Sequence, residues 1–177
     1  QHALEQLVTW AEFPITLKHL VVSQNSDFFL HAPIELPPHL TYLALSVSFY
    51  TAEEERIWFS KLPQNLATLC LFTKSEFASH GLPLLGLSTP HLTNLRVQSL
   101  DNSDINLNLG SIIPSLPRTL RELELRNSSL RVATIVVTDC DVLTHLPRLK
   151  MFYVPGLQME EAQKDILKRR KIMPKYS

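Results

Sequence analysis

Residues 115–130 read SLPRTLRELELRNSSL. Pro117 stands three residues ahead of Leu120, and Leu123 and Leu125 then alternate with Glu122, Glu124 and Arg126. An apolar residue at every second position is the pattern of a half-buried strand, with the leucines on one face and the charges on the other. Taken alone, the stretch predicts one strand.

The same template occurs five more times. Pro14 leads into Leu17, Leu20 and Val22, and Pro37 into Leu40, Leu43 and Leu45. Pro63 leads into Leu66, Leu69 and Leu71, and Pro90 into Leu92, Leu95 and Val97. Pro147 leads into Leu149, Phe152 and Val154. The first leucines, at positions 17, 40, 66, 92, 120 and 149, are separated by 23, 26, 26, 28 and 29 residues. A recurrence at that period is the mark of a solenoid, in which each unit buries its apolar face against its neighbours.

These residues resemble the leucine-rich-repeat family, whose core is L-x-x-L-x-L-x-x-N/C-x-L. The Leu-Pro-x-x-Leu opening is similar to that of repeats in bacterial effectors and in many protist and fungal proteins. The likeness covers residues 13 to 157. The asparagine position is met by Asn25, while Ser48, Lys74, Leu100, Ser128 and Leu157 stand at its equivalents. The resemblance implies an α/β solenoid with a parallel concave sheet, and short helices and irregular segments on the convex side. It also implies a setting that such repeats often serve, the substrate-selecting part of a ubiquitin ligase. No F-box-like segment or catalytic ligase domain is legible.

A chain of 177 residues suffices for one domain with a sizeable core. Its 17 basic residues balance its 17 acidic ones, so no long-range field favours nucleic acid or a membrane surface. Cys70 and Cys140 make no disulfide framework. That points to a reducing, intracellular compartment, cytoplasmic by preference with the nucleus as an alternative. Asn127-Ser128-Ser129 is a lone glycosylation triplet. No apolar run approaches the roughly 18 residues of a membrane helix.

Three segments organise the chain. Residues 1–12, with Leu4, Leu7, Val8 and Trp10, read as an N-terminal cap or the remnant of an earlier repeat. Residues 13–157 form the solenoid, and residues 158–177 a capping helix with a basic tail. Thr51 followed by Glu54 is a capping box, which predicts a helix over 51–62 with Ile57, Trp58 and Leu62 inward. The stretch 72–90, with Gly81, Pro83 and Gly86, reads as loop, and 99–114 as turns. Val132 to Cys140 fits the apolar template only 12 residues after Leu120, and reads as a β-like segment on the convex side. After Pro155-Gly156, residues 157–173 read as a helix with Glu160 and Glu161 early and Lys168 to Lys171 late. That basic run is either the cationic end of the helix or a nuclear-import patch, and the neighbouring acids favour the first.

The residues that flank the apolar positions should form columns on the concave sheet. One reads His19, Tyr42, Thr68, Asn94, Glu122, Met151; the next Val21, Ala44, Cys70, Arg96, Glu124, Tyr153. A third reads Ser23, Ser46, Phe72, Gln98, Arg126, Pro155. From these, Tyr42, Phe72, Arg96, Glu124, Arg126 and Tyr153 are the candidate partner-binding residues, because aromatic and arginine side chains are enriched at interfaces. For any one of them an ordinary solvated strand position is an equal alternative.

Catalysis has little to stand on. Seven histidines include no His-x-x-x-His or HExxH pair, so no metal site is expected. Cys70 is the one nucleophile on the expected concave face, with Arg96 beside it and no base nominated. No phosphate loop or G-x-S-x-G is present, and no cofactor or small-molecule substrate is implied. The expected function is non-catalytic recognition of another protein through the concave sheet. The alternative is a structural subunit of a large assembly.

Overall fold

In the computed structural model, which describes residues 13–22, 30–31, 36–73, 80–99, 112–127, 135–136, 144–154, 157–158 and 161–174, each proline-led entry is a turn closed on its first leucine. Leu17 donates to the carbonyl of Pro14 at 2.9 Å, Leu40 to Pro37 at 3.3 Å, and Leu66 to Pro63 at 3.1 Å. Leu92 donates to Thr89 at 3.0 Å, Leu120 to Pro117 at 3.0 Å and Leu149 to Leu146 at 3.2 Å. These are i to i+3 bonds, with proline at the first or second turn position, where its fixed φ and missing N–H do no harm.

The residue after each first leucine then binds the next turn. The carbonyls of Lys18, Thr41, Ala67, Thr93 and Arg121 each accept two N–H groups from the following entry, at 2.7 to 3.1 Å. The hydroxyls of Thr41 and Thr93 add bonds to the carbonyls of Lys18 (3.2 Å) and Ala67 (3.0 Å).

Every strand pairing is parallel, and a strand follows each of the six entries. The strands are β1 (His19–Val21), β2 (Leu30–His31), β3 (Tyr42–Ser48), β4 (Thr68–Thr73), β5 (Asn94–Ser99), β6 (Glu122–Asn127), β7 (Ile135–Val136), β8 (Met151–Tyr153), β9 (Leu157–Gln158) and β10 (Met173–Pro174). The main sheet has the order β1-β3-β4-β5-β6-β8-β10, and β2 also pairs with β3. Leu43, Leu69, Leu95, Leu123 and Phe152 stand opposite one another across it. Parallel neighbours need long crossovers, which the spacing of 23 to 29 residues supplies.

The three apolar positions of the five entries from Leu40 to Val154 are all buried, none more than 8% exposed. Leu17 and Val22 pack against this core from its first edge. Each fully buried leucine contributes about 1.5–3 kcal/mol of transfer free energy.

The return after β3 is the helix α1 (Ala52–Ser60). Thr51 Oγ1 accepts from Glu54 N–H at 3.1 Å, and Glu54 Oε2 accepts from Tyr50 N–H at 2.9 Å, one residue earlier than in the usual capping box. Trp58 and Leu62 face inward as expected, but Ile57 is 40% exposed. Phe59 takes the inward place instead, with its ring 5.1 Å from Trp58 and 6.2 Å from Phe49.

The stretch expected as loop contains helix. A 3-10 turn at Leu82–Leu84 runs into α2 (Leu85–Ser88). Pro83 lies in the first turn, where proline lacks nothing. A Cβ on Gly86 would press on the carbonyl oxygen of Ser115, so this glycine permits close packing on the turn at Ile113–Ser115. Within the expected convex β segment, β7 is a strand and pairs with β9 outside the main sheet. Residues 1–12 and Cys140 lie outside the described residues.

The C-terminal segment is shorter in helix than its charge pattern predicts. The helix α3 spans Glu161–Arg169, while Leu157–Gln158 before it and Met173–Pro174 after it are strands. The stop is a Schellman arrangement. Ile172 N–H donates to Leu167 and Lys171 N–H to Lys168, both at 3.0 Å, and the C″ side chain Ile172 is buried with Leu167. The position that usually holds glycine carries Lys171, at φ 53°. Arg170 Nη2 donates to the carbonyl of Leu146 at 2.6 Å, which ties the helix end to the preceding entry. The basic run is thus, structurally, a helix terminus.

Because left-handed backbone costs a side-chain-bearing residue about 1–2 kcal/mol and glycine nothing, Lys171→Gly is expected to stabilise the protein. After the extra unfolded-state freedom of glycine is deducted, the gain is about 0.5–1 kcal/mol, measurable as a raised urea midpoint at unchanged slope. A lowered midpoint would contradict the capping assignment.

Candidate functional site

The sheet face opposite the leucine core carries the three expected columns. Pairing places His19, Tyr42, Thr68, Asn94, Glu122 and Met151 in one row, and Val21, Ala44, Cys70, Arg96, Glu124 and Tyr153 in the next. Ser46, Phe72, Gln98 and Arg126 form the third. Ser23 and Pro155 lie outside the described residues. A shallow cleft of about 280 Å³ runs across this polar face, lined by Tyr42, Thr68, Cys70, Asn94, Arg96, Glu122, Glu124 and Met151.

The six candidate residues fall into two groups. Tyr42 and Phe72 are half-buried on β3 and β4. The hydroxyl of Tyr42 is hydrogen-bonded to Cys70, and its ring lies 5.9 Å from that of His19. The other four make a charged cluster over β5, β6 and β8. Glu124 was expected as an exposed contact; it is 1% exposed. Its Oε2 accepts from Arg96 Nε at 2.7 Å, and its Oε1 faces Arg126 Nε as an ion pair. Arg126 Cζ lies 4.8 Å above the ring of Tyr153, which at 6% exposure is a platform rather than an open contact. Both arginine side chains remain open to solvent, at 49% and 40%.

The local reason is the strand period. Glu122, Glu124 and Arg126 alternate with Leu123 and Leu125, so all three reach the polar face. The pairing of β5 with β6 then sets Arg96 opposite Glu124. One carboxylate thus stands between two guanidiniums, hydrogen-bonded to Arg96 and ion-paired with Arg126.

Cys70 is a poor nucleophile in this setting. Burial pushes its thiol above the usual value, and the nearby Glu124 adds to the rise; Arg96 and the bond from Tyr42 pull the other way and lose. Tyr42 is raised as well, first by the charge of Cys70 and then by burial. Among the described residues no group of three or more His, Cys, Asp or Glu side chains is placed to hold a metal ion.

No family model, curated protein or solved structure matches this chain. The reading of the site therefore rests on its own geometry.

A second buried carboxylate, Glu55, sits at the return side. Its Oε1 accepts from the N–H groups of His80 (2.8 Å) and Gly81 (2.5 Å), and its Oε2 lies 3.6 Å from His80 Nδ1. It joins α1 to the start of the next helical turn. Between the end of α1 and α2, about 280 Å³ of groove is lined by Ser60, Lys61, Leu62, Gln64, Leu84, Leu87 and Ser88, with Leu87 84% exposed.

Burial holds the Glu55 carboxyl above its usual value of 4.5, against the lowering effects of Gly81 and His80. The folded chain therefore binds this proton more tightly than the unfolded chain. The contribution favours folding at low pH and declines as pH rises from 4.5 through the folded value. Glu55→Gln keeps the acceptor oxygen and removes the titration. Relative to wild type, it is expected to gain stability as pH rises above 4.5 in urea unfolding. A difference that stays constant with pH would contradict the burial argument.

Among the described residues no helix is long and apolar enough to cross a membrane.

Proposed function

We propose that this chain is a leucine-rich-repeat solenoid that recognises another polypeptide, without catalysis, through the polar face of its sheet. The observation that carries the reading is the Arg96–Glu124–Arg126 cluster beside Tyr42 and Phe72. A buried carboxylate with its arginines gives a fold little net stability relative to apolar residues in their place, because desolvation consumes much of the attraction. What it does accomplish is to fix two large donors in advance, which lowers the ordering cost of binding. The resemblance supplies the setting of substrate selection for a ubiquitin ligase, in which this chain would contribute binding alone.

The test is affinity capture from native extract with wild type and with Tyr42→Ala/Phe72→Ala/Arg126→Ala, both confirmed folded by circular dichroism. The reading expects a discrete partner that the folded triple variant loses. Partners unchanged by the substitutions, with cross-links mapping to the Leu87 groove, would sink it. That outcome would support the second reading, a fixed subunit of a larger assembly, for which the exposed Leu87 is the favouring observation.

A further inference from the structure

We propose that the arginine half of the polar face takes an acidic side chain, Asp or Glu, of the bound polypeptide, held between Arg96 and Arg126 over Gln98. This rests on the recognition reading above and specifies its chemistry.

Three observations carry it. Each arginine directs its Nε at the one Glu124 carboxylate, and both side chains stay open to solvent, at 49% and 40%. Two guanidiniums share one buried carboxylate, and the row beyond it holds Ser46, Phe72, Gln98 and Arg126, with no acid among them. Because both are drawn to the same carboxylate, they stand close together, and an added anion would lower their mutual repulsion.

The Nη edge of a guanidinium is a planar fork of donors that matches a carboxylate in two-point contact. Gln98 occupies the adjoining place in the third row, between Phe72 and Arg126, and adds an amide donor. Glu122, the nearby acid that would repel such a ligand, lines the cleft beside Arg96 but on the opposite side of it from Gln98, and is on the order of 13 Å along the strand from Arg126. Phe72 beside the donors offers apolar contact to a polypeptide flanking the acid, which favours a side chain over a free phosphate.

The experiment titrates the whole purified chain into dye-labelled, end-capped hexaglutamate, with hexaglutamine as the neutral control, read by fluorescence anisotropy. Hexaglutamate is expected to bind at least about tenfold more tightly than hexaglutamine, and less tightly as salt rises. Arg96→Gln and Arg126→Gln, each confirmed folded by circular dichroism, are each expected to lose about fivefold or more. Arg126→Lys keeps the charge without the fork and should recover less than half of that loss.

Equal binding of the two peptides, or arginine variants that bind as wild type does, overturns the proposal. So does displacement of hexaglutamate by inorganic phosphate at concentrations where acetate is inert, which would assign the fork to a phosphoryl group. Failure here, with a partner still captured through Tyr42 and Phe72, removes the acidic contact and leaves recognition standing. Peptide binding that persists while the triple variant still captures every partner does the reverse.

Discussion

Gly81→Ala is expected to cost roughly 3 kcal/mol of stability, seen as a large drop in urea midpoint without a change of slope. The backbone is not the reason. Gly81 has φ −91°, which any residue adopts. The reason is space, since a Cβ there would overlap the ring of Phe59. That ring is fully buried and hemmed in by Trp58 and Phe49. Nor can the segment withdraw, because Gly81 N–H is bonded to the buried Glu55. Phe59→Leu should cost stability by itself, yet combined with Gly81→Ala the losses should fall short of their sum by about 1 kcal/mol or more. An alanine variant as stable as wild type would show that the packing of α1 on this turn is not as described.

Glu124→Ala is expected to cost about 2–3 kcal/mol. It removes the charge-assisted hydrogen bond from Arg96 and the ion pair with Arg126, and leaves two guanidiniums side by side with no anion between them. The half-exposed arginines keep the loss below that of a fully buried pair. A signature separates this from simple loss of packing. Added salt should recover part of the stability of Glu124→Ala, because it screens the arginine pair. A loss under about 0.5 kcal/mol, or one indifferent to salt, would mean that the arginines stand without their anchor.

The parts of the fold that were legible follow from strict spacing. The leucines at period two put one face of every strand inside, and aligning the first leucines placed Tyr42 opposite Thr68 and Arg96 opposite Glu124, which is the observed register. Thr51 was readable as a cap because its partner lies three residues away. The charged cluster was half legible. The columns set Arg96, Glu124 and Arg126 together, but a count of residues gives no depth, and Glu124 is buried beneath its two arginine neighbours.

Other features lacked a local signal. Glu55 sits among Glu53 and Glu54 in the first turn of α1, where acids suit the helix dipole, and nothing nearby in sequence announces that it binds residues 25 and 26 positions later. Pro83 and Gly86 disguised the helical turn at 82–88. In the C-terminal helix, the absence of a glycine at Lys171 hid the stop. In each case tertiary contact overrode the local preference.

The most direct test of the recognition surface is photo-cross-linking in native extract from two single positions. One carries benzoylphenylalanine in place of Gln98, in the third row of the polar face. The other carries it in place of Leu87, exposed at the α2 groove. A discrete protein adduct from position 98, competed by capped hexaglutamate and absent from position 87, is the predicted result. Adducts from position 87 with none from position 98 would contradict it, and would move the working surface to the opposite side of the molecule.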